Sequence, residues 1–139
     1  MELVRVAVAA MVLALLLAAP ASAKFDLSLR LSEDNPRIGE QVRLELRADA
    51  HVGPCRMKLV AVAPGADAYK AVEAFVNGGP TRPSKRLGFL VETARTGPGA
   101  WRARLRFRRA GRWHLIVPNW CAPGIASPLP VDRIVTVRG

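Results

Sequence analysis

The chain has 139 residues, of which 21 are Lys or Arg and 11 are Asp or Glu, giving a formal net charge of +10. This length is the size of one domain and is enough for a single core. Arginine accounts for 17 of the basic residues. A GC-rich genome produces such a bias without selection for function, so the charge points to an anionic partner only if the arginines are arranged on one surface.

Residues 1–23 are predicted to be a secretory signal peptide. Arg5 supplies the early positive charge, an apolar run extends from Val6 to Ala19, and the small-residue triplet Ala21–Ala23 is typical of a cleavage site. The apolar run is shorter than the roughly 20 residues that a membrane-spanning helix needs. We therefore expect cleavage after Ala23, a secreted or periplasmic protein, and a mature domain over residues 24–139.

Seven stretches of the mature chain are predicted to be strands, because apolar and polar side chains alternate with period two through most of them. The clearest alternation sets Trp101 and its inward neighbours against a row of arginines. Residues 96–99, with the sequence TGPG, are predicted to break the chain between two of these strands. The predicted strands cover residues 25–31, 42–48, 55–62, 86–94, 101–108, 112–117 and 132–137.

One segment departs from this period. Between the third and fourth predicted strands, apolar residues recur at helical spacing, Asp67 is a suitable N-cap, and Gly78 is placed to end a helix. This pattern predicts one inserted helix over residues 67–77. Seven short strands with one helix predict an all-β protein, an antiparallel β-sandwich with Greek-key connections.

Two motifs resemble a known class of modules. NPRIGEQVRLELRA (residues 35–48) resembles the first turn and second strand of bacterial extracytoplasmic immunoglobulin-like or fibronectin-type-III-like modules. GAWRARLRFRRAGRWHLIVP (residues 99–118) resembles their penultimate hairpin. The resemblance spans most of residues 25–138 and implies an immunoglobulin-like sandwich. It implies no particular ligand, because such modules serve many functions.

The two cysteines, Cys55 and Cys121, are predicted to form a disulfide, which is the default state of paired cysteines in an exported protein. Cys55 begins the third predicted strand and Cys121 follows the sixth, and these strands are neighbours in one sheet of such a sandwich. The alternative is a periplasmic metal-handling (copper) or redox accessory protein that uses His51, Cys55, Met57 and Cys121. The sequence after Cys121 lacks the His and Met of a blue-copper site, so we expect no metal and no cofactor.

No motif indicates catalysis. The chain has no Gly-flanked serine elbow and no zinc-binding helix motif, and it has only two histidines. We therefore expect a protein that is not an enzyme.

Two surfaces are candidate binding sites. At one end of the sandwich, the predicted disulfide would hold His51, Asn119 and Trp120 together, and tryptophan is enriched at binding hot spots. The alternative is that Trp120 packs over the disulfide. On one sheet, a row of arginines alternates along the fifth predicted strand beside two more on the second: Arg102, Arg104, Arg106, Arg108, Arg43 and Arg47.

The arginine row favours an anionic partner, either an envelope component or an acidic protein. The alternative is a solvated face whose arginines pair with Glu45, Asp26 or Glu92. Nucleic acid is disfavoured, because the protein is expected to be exported and no aromatic residues are interleaved on that face. We expect a monomeric, secreted binding module that touches membranes only through peripheral electrostatics.

Overall fold

The computed structural model describes residues 27–48, 57–118 and 131–139. Within these ranges, eight strands form two antiparallel four-stranded sheets that pack as a β-sandwich, as the sequence predicts. One sheet has the order β1-β2-β6-β5 and the other β4-β3-β7-β8, so the chain crosses repeatedly between them in Greek-key fashion. The strands are β1 (Leu27–Leu31), β2 (Gln41–Ala48), β3 (Lys58–Val62), β4 (Gly88–Glu92), β5 (Ala94–Gly97), β6 (Ala100–Arg106), β7 (Gly111–Val117) and β8 (Val131–Val137).

The fourth predicted strand, residues 86–94, corresponds to the shorter β4, and one further strand that was not predicted, β5, follows it in the other sheet. Between β4 and β5 the chain passes from one sheet to the other at Thr93, whose hydroxyl donates a hydrogen bond to the carbonyl oxygen of Met57. The predicted break at residues 96–99 was therefore partly wrong, since β5 extends to Gly97. β5 has no buried residue, so it lacks the alternation that reveals a strand in the sequence.

The core between the sheets is formed by the inward residues of both. Leu44 and Leu46 of β2 and Trp101 of β6 are fully buried, because alternate side chains of each strand point to the same face. Three aromatic rings pack together, the buried Phe107 and Trp113 and the half-buried Phe89, with centroids 5.2 to 6.0 Å apart. The indole Nε1 of Trp113 donates to the carbonyl oxygen of Arg109 at 2.9 Å.

The predicted helix is present and covers the outer face of one sheet. Helix α1 (Ala68–Val72) begins at the N-cap Asp67, whose carboxylate accepts the Lys70 amide at 3.0 Å, and continues as a π-helical segment (Glu73–Asn77) that ends at Gly78. Its apolar side packs on outward residues of β3 and β7 in a second small core: Val60, Val62, Ala71, Val72, Phe75 and Ile116. In the part of the chain that the structure describes, the outer face of β1-β2-β6-β5 has no such cover.

Candidate anion-binding face

The outer face of the sheet β1-β2-β6-β5 is strongly basic. Its outward positions on β1, β2 and β6 hold six exposed arginines and one carboxylate, Glu45, which leaves five positive charges unbalanced. The alternating inward residues are core, so the strand pattern itself places every arginine on this side. We call this surface the basic face, and its arginines are Arg30, Arg43, Arg47, Arg102, Arg104 and Arg106.

Most of the predicted basic site is thereby brought together. β2 lies beside β6, as expected, so Arg43 and Arg47 share the face with Arg102, Arg104 and Arg106. Arg108 was wrongly placed in the strand, because β6 ends at Arg106 and the chain turns toward β7. The sequence analysis missed Arg30, although its place between Leu29 and Leu31 was a sufficient signal.

Arg43 and Arg104 lie directly opposite each other across β2 and β6. The carbonyl oxygens of Gly99 and Phe107 accept hydrogen bonds from the amides of Ala48 and Gly39, so the odd-numbered residues of β6 direct their main-chain groups toward β2. Arg104 therefore belongs to a pair without main-chain hydrogen bonds between its members. In such pairs the Cα atoms are only about 4.5 Å apart and the side chains are close together.

Neither guanidinium group of this pair has a counter-ion in the described ranges. The side chains of Arg43 and Arg104 make no hydrogen bond or ion pair with any described residue, and both residues are exposed. Like charges directly opposite each other destabilise a sheet. An anion between them would remove this repulsion.

Glu45 is committed to another arginine. Its Oε1 accepts from Nη2 of Arg47 at 2.6 Å and from Nε at 2.7 Å. The pKa of Glu45 is lowered, first by this hydrogen bond and by the charge of Arg47, and further by the charges of Arg102 and Arg30. Arg102 lies opposite Glu45 but makes no ion pair with it. One carboxylate thus serves several arginines and fully pairs with only one.

Two other carboxylates were predicted as counter-ions of this face. Asp26 lies outside the described residues, and Glu92, which lies opposite Lys58 on the other sheet, lines the depression described below but makes no ion pair with a described arginine. Arg106 is held differently, since it donates to the carbonyl oxygen of Gly39 at 3.0 Å and to Oε1 of Gln41 at 3.3 Å.

An open depression of about 870 Å³ lies over this part of the sheet. Arginine binds carboxylate and phosphate through paired N–H groups in a planar fork, so four arginines around one hollow suit an anion of either kind. The polar residues that line the depression are Arg30, Ser32, Arg43, Glu45, Glu92, Thr93, Arg102 and Arg104.

The predicted tip and the predicted disulfide involve five residues. Their residues lie outside the described part of the chain: His51, Cys55, Asn119, Trp120 and Cys121. The strands that flank them do share one end of the sandwich. β3 and β7 are neighbours, as predicted, with Val60 opposite Ile116, and Val117 lies opposite Val131 of β8. The strand ends at Lys58, Val117 and Val131 therefore lie at the same end.

Met57, which was considered for a metal site, and His114, the one histidine in the described ranges, have other surroundings. Met57 is 98 % buried among core side chains, so its thioether is directed away from solvent. His114 lies on the outer face of β7, where Nδ1 is 3.0 Å from Oδ1 of Asp132 on β8. The sequence analysis missed this pair because it joins residues 18 positions apart. Among the described residues, no group of three or more His, Cys, Asp or Glu could hold a metal ion.

Comparisons with known proteins add no relative. No family model, curated protein or solved structure matches this chain. In the described ranges, no helix is long and apolar enough to cross a membrane. The basic face is therefore the feature of the described chain that best indicates a function.

Proposed function

We propose that this protein is an exported, non-enzymatic immunoglobulin-like module whose basic face binds an anionic component of the envelope or an acidic partner protein. The strand orders β1-β2-β6-β5 and β4-β3-β7-β8 support the immunoglobulin-like part. Immunoglobulin sandwiches place the first, second, fifth and fourth main strands in one sheet and the third, sixth and seventh in the other, with an additional edge strand beside the third.

The unneutralised pair Arg43 and Arg104 carries the binding proposal. A solvated face could carry many arginines if each one paired with a carboxylate, but here the one carboxylate of the face is bonded to Arg47. Successive outward arginines on a strand are about 6.6–6.8 Å apart, which is less than the Debye length of about 8 Å at physiological ionic strength. The arginines therefore act together on an anion that lies over β2 and β6.

The proposed location rests on the signal peptide, and the disulfide Cys55–Cys121 is part of the same proposal, since export exposes both thiols to an oxidising compartment. Thiol titration of the exported protein in denaturant tests it. We expect no free thiol before reduction and two after reduction, whereas two free thiols before reduction would contradict the disulfide.

The binding proposal is tested with a matched pair of triple variants. The first replaces Arg43, Arg102 and Arg104 by Gln, which removes three charges from the basic face and keeps the inward core residues. The control replaces Arg82, Arg86 and Arg112, which are exposed and lie away from that face. Both variants lose the same charge, so they differ only in where it is lost.

Binding is measured by calorimetric titration with inorganic polyphosphate and with poly-L-glutamate, which present phosphate and carboxylate groups. Three exposed charge contacts are worth about 0.2–1 kcal/mol each, so we expect the first variant to lose roughly tenfold more affinity than the control. Replacing Glu45 by Gln should strengthen binding, because it removes the face's own carboxylate. Equal losses in the two triple variants would mean that net charge alone attracts polyanions.

A further inference from the structure

Strand β6, which carries part of the basic face, has one main-chain edge that is only partly paired. β5 pairs with β6 only opposite Ala100–Arg102, and a bulge interrupts even this short ladder, whereas β6 continues to Arg106. The odd-numbered residues of β6 direct their main-chain groups toward β2. The main-chain groups of the even-numbered residues Arg104 and Arg106 therefore point away from β2. No described strand pairs with that side of these two residues. Their N–H and C=O groups form a free strand edge.

This edge opens into a groove between β4 and β6, with a volume of about 440 Å³. The apolar lining of the groove comes from the half-buried Phe89 and from the buried core residues Val91 and Leu105. Its charged lining consists of three exposed arginines, Arg104, Arg106 and Arg108, and one carboxylate, that of Glu92. A strand lying here would meet apolar side chains on one face and guanidinium groups on the other.

We propose that this edge is a strand-addition site for an extended acidic polypeptide in which acidic and apolar residues alternate. The proposal deepens the proposed function, on which it rests, because Arg104 belongs to both surfaces. Side chains of an added strand point alternately to the two faces of the sheet. The acidic side chains of the added strand would then lie over the basic face, and its apolar side chains would point into the groove.

Charge decides between this occupant and a second copy of the chain. Two copies joined through their β6 edges would bring Arg104 and Arg106 of each copy against the same arginines of the other, in a protein whose net charge is already +10. Charged residues on an edge strand also discourage pairing with neutral strands. The three arginines at the groove therefore select a strand of opposite charge.

The test uses a synthetic peptide with an even number of residues, about six, which is the usual length of a strand, and Glu and Val alternate in it. Two further peptides carry N-methyl groups on the backbone, one at every Glu and the other at every Val. An added strand directs the N–H groups of only one of these sets toward β6. Affinities for the intact protein are compared by calorimetry, and sedimentation velocity reports the oligomeric state.

We expect one methylated peptide to bind like the parent and the other to lose about tenfold or more in affinity, since it forfeits main-chain hydrogen bonds to Arg104 and Arg106. If the peptide methylated at Val keeps the affinity of the parent, the added strand runs antiparallel to β6. Equal affinities of the two isomers, whether retained or lost, would overturn strand addition. A protein dimer that the parent peptide dissociates would overturn the acidic occupant, because a second copy of the chain would then hold the edge.

The arginine variants separate this proposal from the proposed function. If the isomers bind equally but Gln at Arg43, Arg102 and Arg104 weakens binding more than the control variant does, strand addition fails and the anion-binding face stands. If the basic-face variant binds the parent peptide and polyphosphate no more weakly than the control variant, the proposed function fails, and this inference fails with it.

Discussion

Replacing Arg104 by Glu is expected to stabilise the fold, because it converts a like-charge cross-strand pair with Arg43 into an attractive one. Cross-strand charge pairs contribute roughly 0.2–1 kcal/mol each. Removing one repulsion and adding one attraction should therefore raise the free energy of unfolding by about 1 kcal/mol at low salt. With m-values of about 1–3 kcal/mol/M, the urea midpoint should rise by roughly 0.3–1 M.

The control is Arg112, an outward residue of β7 that lies opposite the neutral Thr136. Each position is changed to Glu and, separately, to Gln, so that the Glu–Gln difference isolates charge from strand propensity. The difference should be larger at Arg104 than at Arg112 and should shrink at about 1 M salt, where the Debye length is about 3 Å. If Arg104→Glu is no more stable than Arg104→Gln at low salt, Arg43 already has a counter-ion and the central observation fails.

Three further predictions concern the scaffold and are measured by urea unfolding of the purified protein. Trp113→Phe should lose about 1 kcal/mol or more, since it removes the hydrogen bond to Arg109. Gly88→Ala should lose about 1–3 kcal/mol, because Gly88 has a φ of 137° and a β-carbon there would overlap the carbonyl oxygen of Ala61. Asp67→Ala should lose about 1 kcal/mol by removing the helix cap. An unchanged midpoint in any variant would contradict the corresponding contact.

Strands that bury one face were predictable, and strands without a buried face were not. The alternation of Trp101 and Leu105 with arginines marks β6 because the inward side chains must be apolar. β5 has no such constraint, so Thr96 and Gly97 looked like part of a turn. The helix was predictable from Asp67 and Gly78, which provide the cap and the left-handed end.

The site depended on register, which the sequence specifies less directly. Alternation alone places Arg43 and Arg104 on outward positions, but only the pairing of β2 with β6 sets them opposite each other. That register follows from long-range main-chain hydrogen bonds, such as the one from Ala48 to Gly99. The pair of His114 and Asp132 was missed for the same reason, because 18 positions separate the two residues in sequence.

The most direct test of the proposed anion-binding face is a nuclear magnetic resonance titration of the purified, ¹⁵N-labelled protein with inorganic polyphosphate at low salt. We predict that the largest amide shifts cluster on β2 and β6 around Arg43 and Arg104, and that they diminish as salt is added. Amide shifts that are spread evenly over the basic residues of both sheets would contradict the proposed binding face, and so would shifts centred on α1 and the outer face of β7.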